Sequence, residues 1–183
     1  MTEHPTDAEI IERVLAGEVD LFGLLVDRYQ DEFARYARYM TGSADDAADV
    51  IQESLVRAYR SLRRCGDRAN FKGWLFRIVS NQCKTHLARR RRRRLEPLSD
   101  EAIEVPSGLD PRADAEAADV RRKVHEALQN LPVDQREALV LKYVEELSLP
   151  EMAKMLKASV SALKMRLLRG RKELLGKLQG VAG

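Results

Sequence analysis

Apolar residues recur at intervals of three and four through most of the chain, and strict alternation is rare, so the pattern predicts helices rather than strands. A short first helix carries Ile10, Ile11, Val14 and Leu15 on one face, with Asp7 expected as its N-cap and Gly17 as its break. The next stripe, Leu21, Phe22, Leu25, Val26 and Tyr29, continues to Phe33, Tyr36 and Ala37 and stops at Gly42 and Ser43. A third helix is expected from about 45 to 62. Val50, Ile51, Leu55, Ala58 and Tyr59 point inward there, and Asp46, Asp49, Gln52, Glu53 and Arg57 point outward. A loop at 65–70 separates it from a helix that begins at Phe71, runs through Trp74, Leu75, Ile78 and Val79, and ends in arginines. Together these stripes supply the apolar surface of one compact bundle.

The pattern fails between 95 and about 112, where Pro97, Pro106, Gly108 and Pro111 interrupt a stretch with no sustained apolar face. Helical periodicity returns near Ala113 and lasts to Asn130. Pro132 then suits the first turn of a helix with Ala138, Leu139, Leu141 and Val144 on its face. The expected architecture is all-α, in two small helical domains: residues 1–94, a flexible acidic linker at 95–112, and residues 113–183.

Charge sharpens this division. The net formal charge of the 183 residues is only +3, yet the signs are segregated. Arginine fills positions 89–94, and acids follow at Glu96, Asp100, Glu101, Glu104, Asp110, Asp114, Glu116 and Asp119. A clustered basic block favours a polyanion, because it releases counterions condensed on phosphates. The acidic part must then face something else. Cys65 and Cys83 form no metal-type pair and fit a reduced compartment better than a disulfide framework. The first ten residues are polar and no apolar stretch approaches the ~20 residues of a membrane span, so a cytoplasmic protein without membrane insertion is expected.

Near the end, Ser148 is placed as an N-cap, Pro150 in the first turn and Glu151 at the capping-box position of a short helix that buries Met152, Ala153 and Leu156. A turn at Lys157 and Ala158 leads to a second N-cap, Ser159, and a longer helix burying Val160, Leu163 and Leu167. This is the outline of a helix-turn-helix. The outer face of the long helix carries Lys164, Arg166, Arg169, Arg171 and Lys172, donors suited to guanine edges and phosphates. A solvated helix hairpin with ordinary surface cations accounts for the same pattern.

The stretch Asp45-Asp-Ala-Ala-Asp-Val-Ile-Gln-Glu53, with Leu55, Arg57, Ala58 and Tyr59 after it, resembles region 2 of the sigma-70 family in its extracytoplasmic-function branch. Phe71-Lys-Gly-Trp-Leu-Phe-Arg-Ile-Val-Ser-Asn81, with Leu87, Arg89 and Arg90, is similar to the family's promoter-melting segment. Leu131-Pro-Val-Asp-Gln-Arg-Glu-Ala-Leu-Val-Leu-Lys-Tyr143 and the helix-turn-helix resemble region 4. Several motifs in order across about 21–175, the linker apart, are far more specific than any one of them.

The resemblance implies a sigma factor that directs core RNA polymerase to promoters and is not an enzyme. It implies that Asp46, Asp49, Gln52 and Glu53 meet the clamp of the largest polymerase subunit, and that the second domain meets the flap of the second largest. An acidic and amide face suits a basic partner. For the opened −10 element it implies Cys65, Arg68, Asn70, Phe71, Lys72, Trp74, Arg77, Asn81, Lys84, Thr85, Arg89 and Arg90. The loop at 65–70, with Phe71, is expected to hold a flipped base. Trp74 has the chemistry to stack on a base, but its neighbours Phe71, Leu75 and Ile78 favour burial. For the −35 duplex the resemblance implies Ser159, Ser161, Lys164, Met165, Arg166, Leu168 and Arg169. It also implies a linker running near the polymerase active centre, and an anti-sigma factor as a partner.

Three positions depart from the family's usual pattern: Lys157 stands where glycine is common in the turn, Ala162 where threonine begins the second helix, and Thr85 where aspartate is frequent. They leave the promoter sequence open. A stand-alone regulator with a carboxy-terminal helix-turn-helix is a competing class, but the amino-terminal motifs argue against it. An adaptor is disfavoured by the basic helix. An enzyme is disfavoured because His4, His86 and His125 are scattered and no nucleophile elbow or phosphate loop occurs. No metal or cofactor is expected.

Overall fold

The computed structural model describes residues 5–95 and 115–180, and every regular element among them is helical. The linker expected at 95–112 lies almost wholly outside the described residues. Helix α1 (Asp7–Leu15) is capped by Thr6, not by Asp7. The Thr6 hydroxyl accepts from the Glu9 N–H at 3.3 Å, and the Glu9 carboxylate accepts from the Thr6 N–H at 2.7 Å. This reciprocal box leaves Asp7 free to accept from Arg28 and from the Tyr29 hydroxyl, which ties α1 to the next helix.

Helix α2 (Phe22–Thr41) inserts Leu25, Phe33, Tyr36, Ala37 and Met40 into the core and ends at Gly42, whose φ of 81° only glycine adopts without cost. Helix α3 (Ala44–Arg60) starts from the Ser43 cap and buries Ala47, Val50, Ser54 and Ala58. Two 3-10 turns, Leu62–Arg64 and Arg68–Asn70, carry the chain to the long helix α4 (Phe71–Leu95), which takes up the arginine run.

The second half comprises α5 (Ala115–Gln129), α6 (Val133–Tyr143), α7 (Leu149–Leu156) and α8 (Val160–Gly180). α6 lies against α8, and Gly170 allows the close approach: a Cβ there would stand 3.1 Å from Leu139 Cδ1. The two halves are not separated in space. α5 and α6 pack on α2, and α7 packs on α4. One apolar cluster therefore runs from Ile10, Phe33 and Leu75 to Ala138, Leu141, Met152 and Leu163. Pressed between the first bundle and α8, α6 is buried at six consecutive positions from Arg136 to Leu141.

Candidate polymerase and nucleic-acid interfaces

The α3 face is formed as its spacing requires except at Tyr59, which was expected inward but lies exposed at the surface, edge-on to Phe22. Asp49, Gln52 and Glu53 are exposed on one side, while Val50 and Ser54 face the core. Asp46 differs from them. Its carboxylate is 3.1 Å from Arg90 Nη1 and 3.2 Å from His86 Nε2, so its charge is already engaged by α4. Glu53 accepts from Gln82 Nε2 at 3.1 Å. Between α3 and α4 lies a polar cleft of about 250 Å³, with Asp46, Asp49 and Glu53 on one wall and His86, Arg89 and Arg90 on the other. A partner approaching α3 from outside meets Asp49, Gln52 and Glu53.

The residues expected at the −10 element divide into three groups. Cys65 and Phe71 are core: they are 3% and 0% exposed, and the Phe71 ring sits 6.0 Å from Tyr29 and 5.7 Å from Trp74. In this arrangement Phe71 supports the 65–70 loop from beneath and is not presented to a base. Burial pushes the Cys65 thiol up from its ordinary pKa. Trp74 is half-buried, as its neighbours suggested. A second group is engaged within the protein: Arg68 pairs with Glu12 at 2.9 Å and Lys72 with Glu32 at 2.8 Å. Lys84 pairs with Glu137 at 2.7 Å. Asn70 is held near Gly73, where a Cβ would come within 2.7 Å of its Oδ1. The third group lies at the surface: Asn81, Thr85 and Arg89 are exposed and Arg77 is half-buried, strung along α4.

The −35 set is presented more openly. Ser148 and Glu151 form the capping box at α7, and the Ser159 hydroxyl accepts from the Ala162 N–H at 3.1 Å to start α8. Lys157 occupies the turn with φ 51° and ψ 43°, the left-handed conformation for which glycine is the usual choice. Ser161, Lys164, Met165, Leu168 and Arg169 are exposed on α8. Arg166 is half-buried, with Asp134 at 3.4 Å. The side chain of Arg171 stacks over Tyr143, 5.1 Å from the ring centroid.

The residues that periodicity missed hold the two halves together. Glu137 is fully buried; its Oε1 accepts from Ser80 Oγ at 2.5 Å and from Tyr36 Oη at 3.1 Å, and Oε2 pairs with Lys84 Nζ. Its neighbour Arg136, 4% exposed, donates to the carbonyl oxygens of Met40, Gln129 and Leu131 and to Gln129 Oε1. Burial lowers the Arg136 pKa to about 10, which leaves it charged at neutral pH. Burial, with Glu137 nearby, raises the Tyr36 hydroxyl well above its usual value and the Cys83 thiol to about 12. At the rim, Arg35 clasps Glu145 through Nη2 at 2.6 Å and Nε at 3.1 Å. Gln129 Nε2 donates to the Tyr39 carbonyl at 2.8 Å, and the His125 ring lies 5.9 Å from that of Tyr39. The only sequence signal was two charged residues, Arg136 and Glu137, next to the apolar run of a helix.

Among the described residues no cluster has the donors of a metal site, and no helix is long and apolar enough to cross a membrane.

Comparison with known proteins covers both halves. The model of sigma-70 region 2 matches residues 25–93, and that of sigma-70 region 4 matches residues 121–174. The extracytoplasmic-function RNA polymerase sigma-E factor of Haemophilus influenzae is 33% identical over 190 aligned positions, covering 98% of this chain and 98% of its own. The structure of CnrH in complex with the cytosolic domain of CnrY aligns with a TM-score of 0.66 at 27% identity, over 95% of this chain and 97% of that one. The sigma factor RpoE of Bartonella quintana, solved with the anti-sigma factor NepR, shares the fold with a TM-score of 0.70 at 22% identity, over 86% and 96% of the two chains.

Proposed function

The chain belongs to the sigma-70 family, in its extracytoplasmic-function branch, and from that premise we propose that it is an alternative sigma factor: it binds core RNA polymerase, recognises the −10 and −35 promoter elements and promotes DNA melting and initiation. The observation that carries the reading is one chain that matches region 2 and region 4 in order. Its chemistry supports a division of labour. The exposed acids Asp49 and Glu53, with Gln52, are the contact for a basic polymerase clamp. Asn81, Thr85, Arg89 and Arg77 form the surface of α4 that meets the −10 strand, with Arg68, Lys72, Lys84 and Arg90 joining as their internal partners are exchanged for DNA. Lys164, Arg166 and Arg169 read the −35 duplex, and Met165 and Leu168 supply its apolar contacts. The polymerase flap is the partner of the second domain. The protein acts in the cytoplasm as an initiation factor and not as an enzyme. An anti-sigma factor is a further partner, a reading supported by CnrH having been captured with the cytosolic domain of another protein.

The deciding experiment mixes the purified chain with sigma-free core polymerase and follows complex formation and run-off transcription. A complex that starts transcripts at defined sites is expected. Charge reversal at Asp49 and Glu53 weakens it by about tenfold or more, ~1.4 kcal/mol, without loss of fold. Failure to bind core, together with tight binding to duplex DNA alone, overturns the reading in favour of a stand-alone regulator.

A further inference from the structure

We propose that Tyr143 is a positioning residue for duplex DNA: its ring holds the Arg171 guanidinium, with its charge intact, ready for a backbone phosphate beside the −35 face of α8. The proposal rests on the assignment of that face to the −35 duplex. Ser161, Lys164, Leu168 and Arg171 recur at steps of three and four, so they share one stripe of the helix. Arg171 continues the −35 set beyond Arg169, and it is exposed. What holds it differs from what holds its neighbours. Arg166 faces Asp134 at 3.4 Å, and Lys177 faces Glu173 at 4.0 Å. Among the described residues Arg171 has no carboxylate partner, and its Cζ lies 5.1 Å from the centroid of the Tyr143 ring.

A phosphate meets the two kinds of neighbour differently. A carboxylate offsets the charge of the cation it pairs with and occupies its N–H donors. A neutral ring attracts the guanidinium through its quadrupole and leaves the net charge in place. The planar fork then keeps donors for a second partner, and a phosphate accepts two of them side by side. Holding the side chain in advance also lessens the rotamer freedom lost on binding. The ring stands on a fixed base. Tyr143 is the last residue of α6, and the next N–H, that of Val144, donates to the Val140 carbonyl at 2.9 Å. Across the following turn the Lys142 ammonium donates to the Leu147 carbonyl at 3.1 Å. The core has no need of the ring itself: Tyr143 is 49% exposed, at the end of a helix enclosed from Arg136 to Leu141. A phosphate contact at Arg171 carries no base information, so it strengthens binding at every sequence and helps to fix how α8 lies on the duplex.

The test follows the anisotropy of a fluorescein-labelled duplex of mixed sequence titrated with the full-length protein, without polymerase, over a range of salt concentrations. The variants are Arg171→Ala, Tyr143→Leu, Tyr143→Phe and the double change Tyr143→Leu with Arg171→Ala. Both positions are exposed, so all four are expected to keep the parent's circular dichroism. Arg171→Ala lowers the slope of log affinity against log salt by about 0.9, the equivalent of one phosphate contact. Tyr143→Leu keeps the apolar bulk but loses the ring face, and binds about two- to fivefold more weakly. Tyr143→Phe keeps that face and matches the parent. The double variant binds like Arg171→Ala alone, because the ring acts only through the arginine. The proposal is overturned by Tyr143→Leu and Tyr143→Phe behaving alike, by additive losses in the double variant, by an unchanged slope in Arg171→Ala, or by a parent that binds no duplex at low salt. Run-off transcription with core polymerase reads the sigma-factor assignment separately. A coupled pair in a protein that starts no transcripts sinks that assignment and leaves the role of Tyr143 standing.

Discussion

Lys157 and Glu137 are two residues whose chemistry is uncomfortable where it stands. Lys157 holds φ 51° at the end of α7, a conformation that costs a residue with a Cβ roughly 1 kcal/mol. Lys157→Gly relieves that strain, partly offset by the greater freedom of glycine in the unfolded chain. A gain of up to about 1 kcal/mol is expected, which for a chain of this size raises the melting temperature by about 2–4 °C. A melting temperature that stays level or falls would show that the lysine makes a compensating contact. Glu137 is different: its carboxylate has three partners, and its burial is tolerated only because they converge. Breaking a buried pair on one side is costly, whereas an exposed one contributes little. Of the ion pairs that involve residues expected to meet partners, Lys84 with Glu137 is the one with a fully buried member.

At the scale of elements, the ends of helices were legible where side chains close them. The Ser148 box with Glu151 and the Ser159 cap of α8 stand where the sequence places them. The cap of α1 was misread by one residue, because Asp7 is itself a good cap type and only the reciprocal bonds of Thr6 and Glu9 decide between them. Ser148→Ala removes the hydroxyl half of the α7 box and is expected to cost about 1 kcal/mol in thermal denaturation. Lys154→Ala on the exposed side of the same helix is the control and should stay within ~0.5 kcal/mol of the parent. If the two variants melt alike, the box does not hold α7. The apolar stripe of α2 was read correctly at Leu25, Phe33, Tyr36 and Ala37. α6 was read as a one-sided helix, and in the structure it is enclosed on both sides.

For the whole molecule, the packing of the two halves carries a pH dependence. His125 is buried at their interface against Tyr39, and burial depresses its pKa, with the nearby Arg136 adding to the effect while a backbone hydrogen bond at Gly42 and the charge of Glu126 oppose it. Once the halves separate or the chain unfolds, the imidazole takes up a proton with an ordinary pKa of about 6.5. A group whose pKa is lower in the packed state favours packing fully above the unfolded value and loses that contribution as pH falls towards the packed one. The packed state is therefore expected to loosen below about pH 6.5, seen as a falling melting temperature and a growing radius of gyration. In His125→Gln that part of the slope should disappear, and an identical slope in parent and variant would remove His125 as its cause.

Helix content, the exposed acids of α3 and the basic outer face of α8 were all determined by the sequence, because each follows from periodicity within one element, and the two regions were legible from their separate motifs. Phe71 and Cys65 show the limit. The family resemblance implied a base-binding pocket there, but which side of the 65–70 loop is covered depends on α1 and α2, far away in the chain. The docking of the second half on the first was decided by tertiary structure alone. Its key groups, Tyr36, Ser80, Lys84 and Glu137, come from three helices up to 101 residues apart. No local pattern records a carboxylate that is satisfied only by partners on other helices.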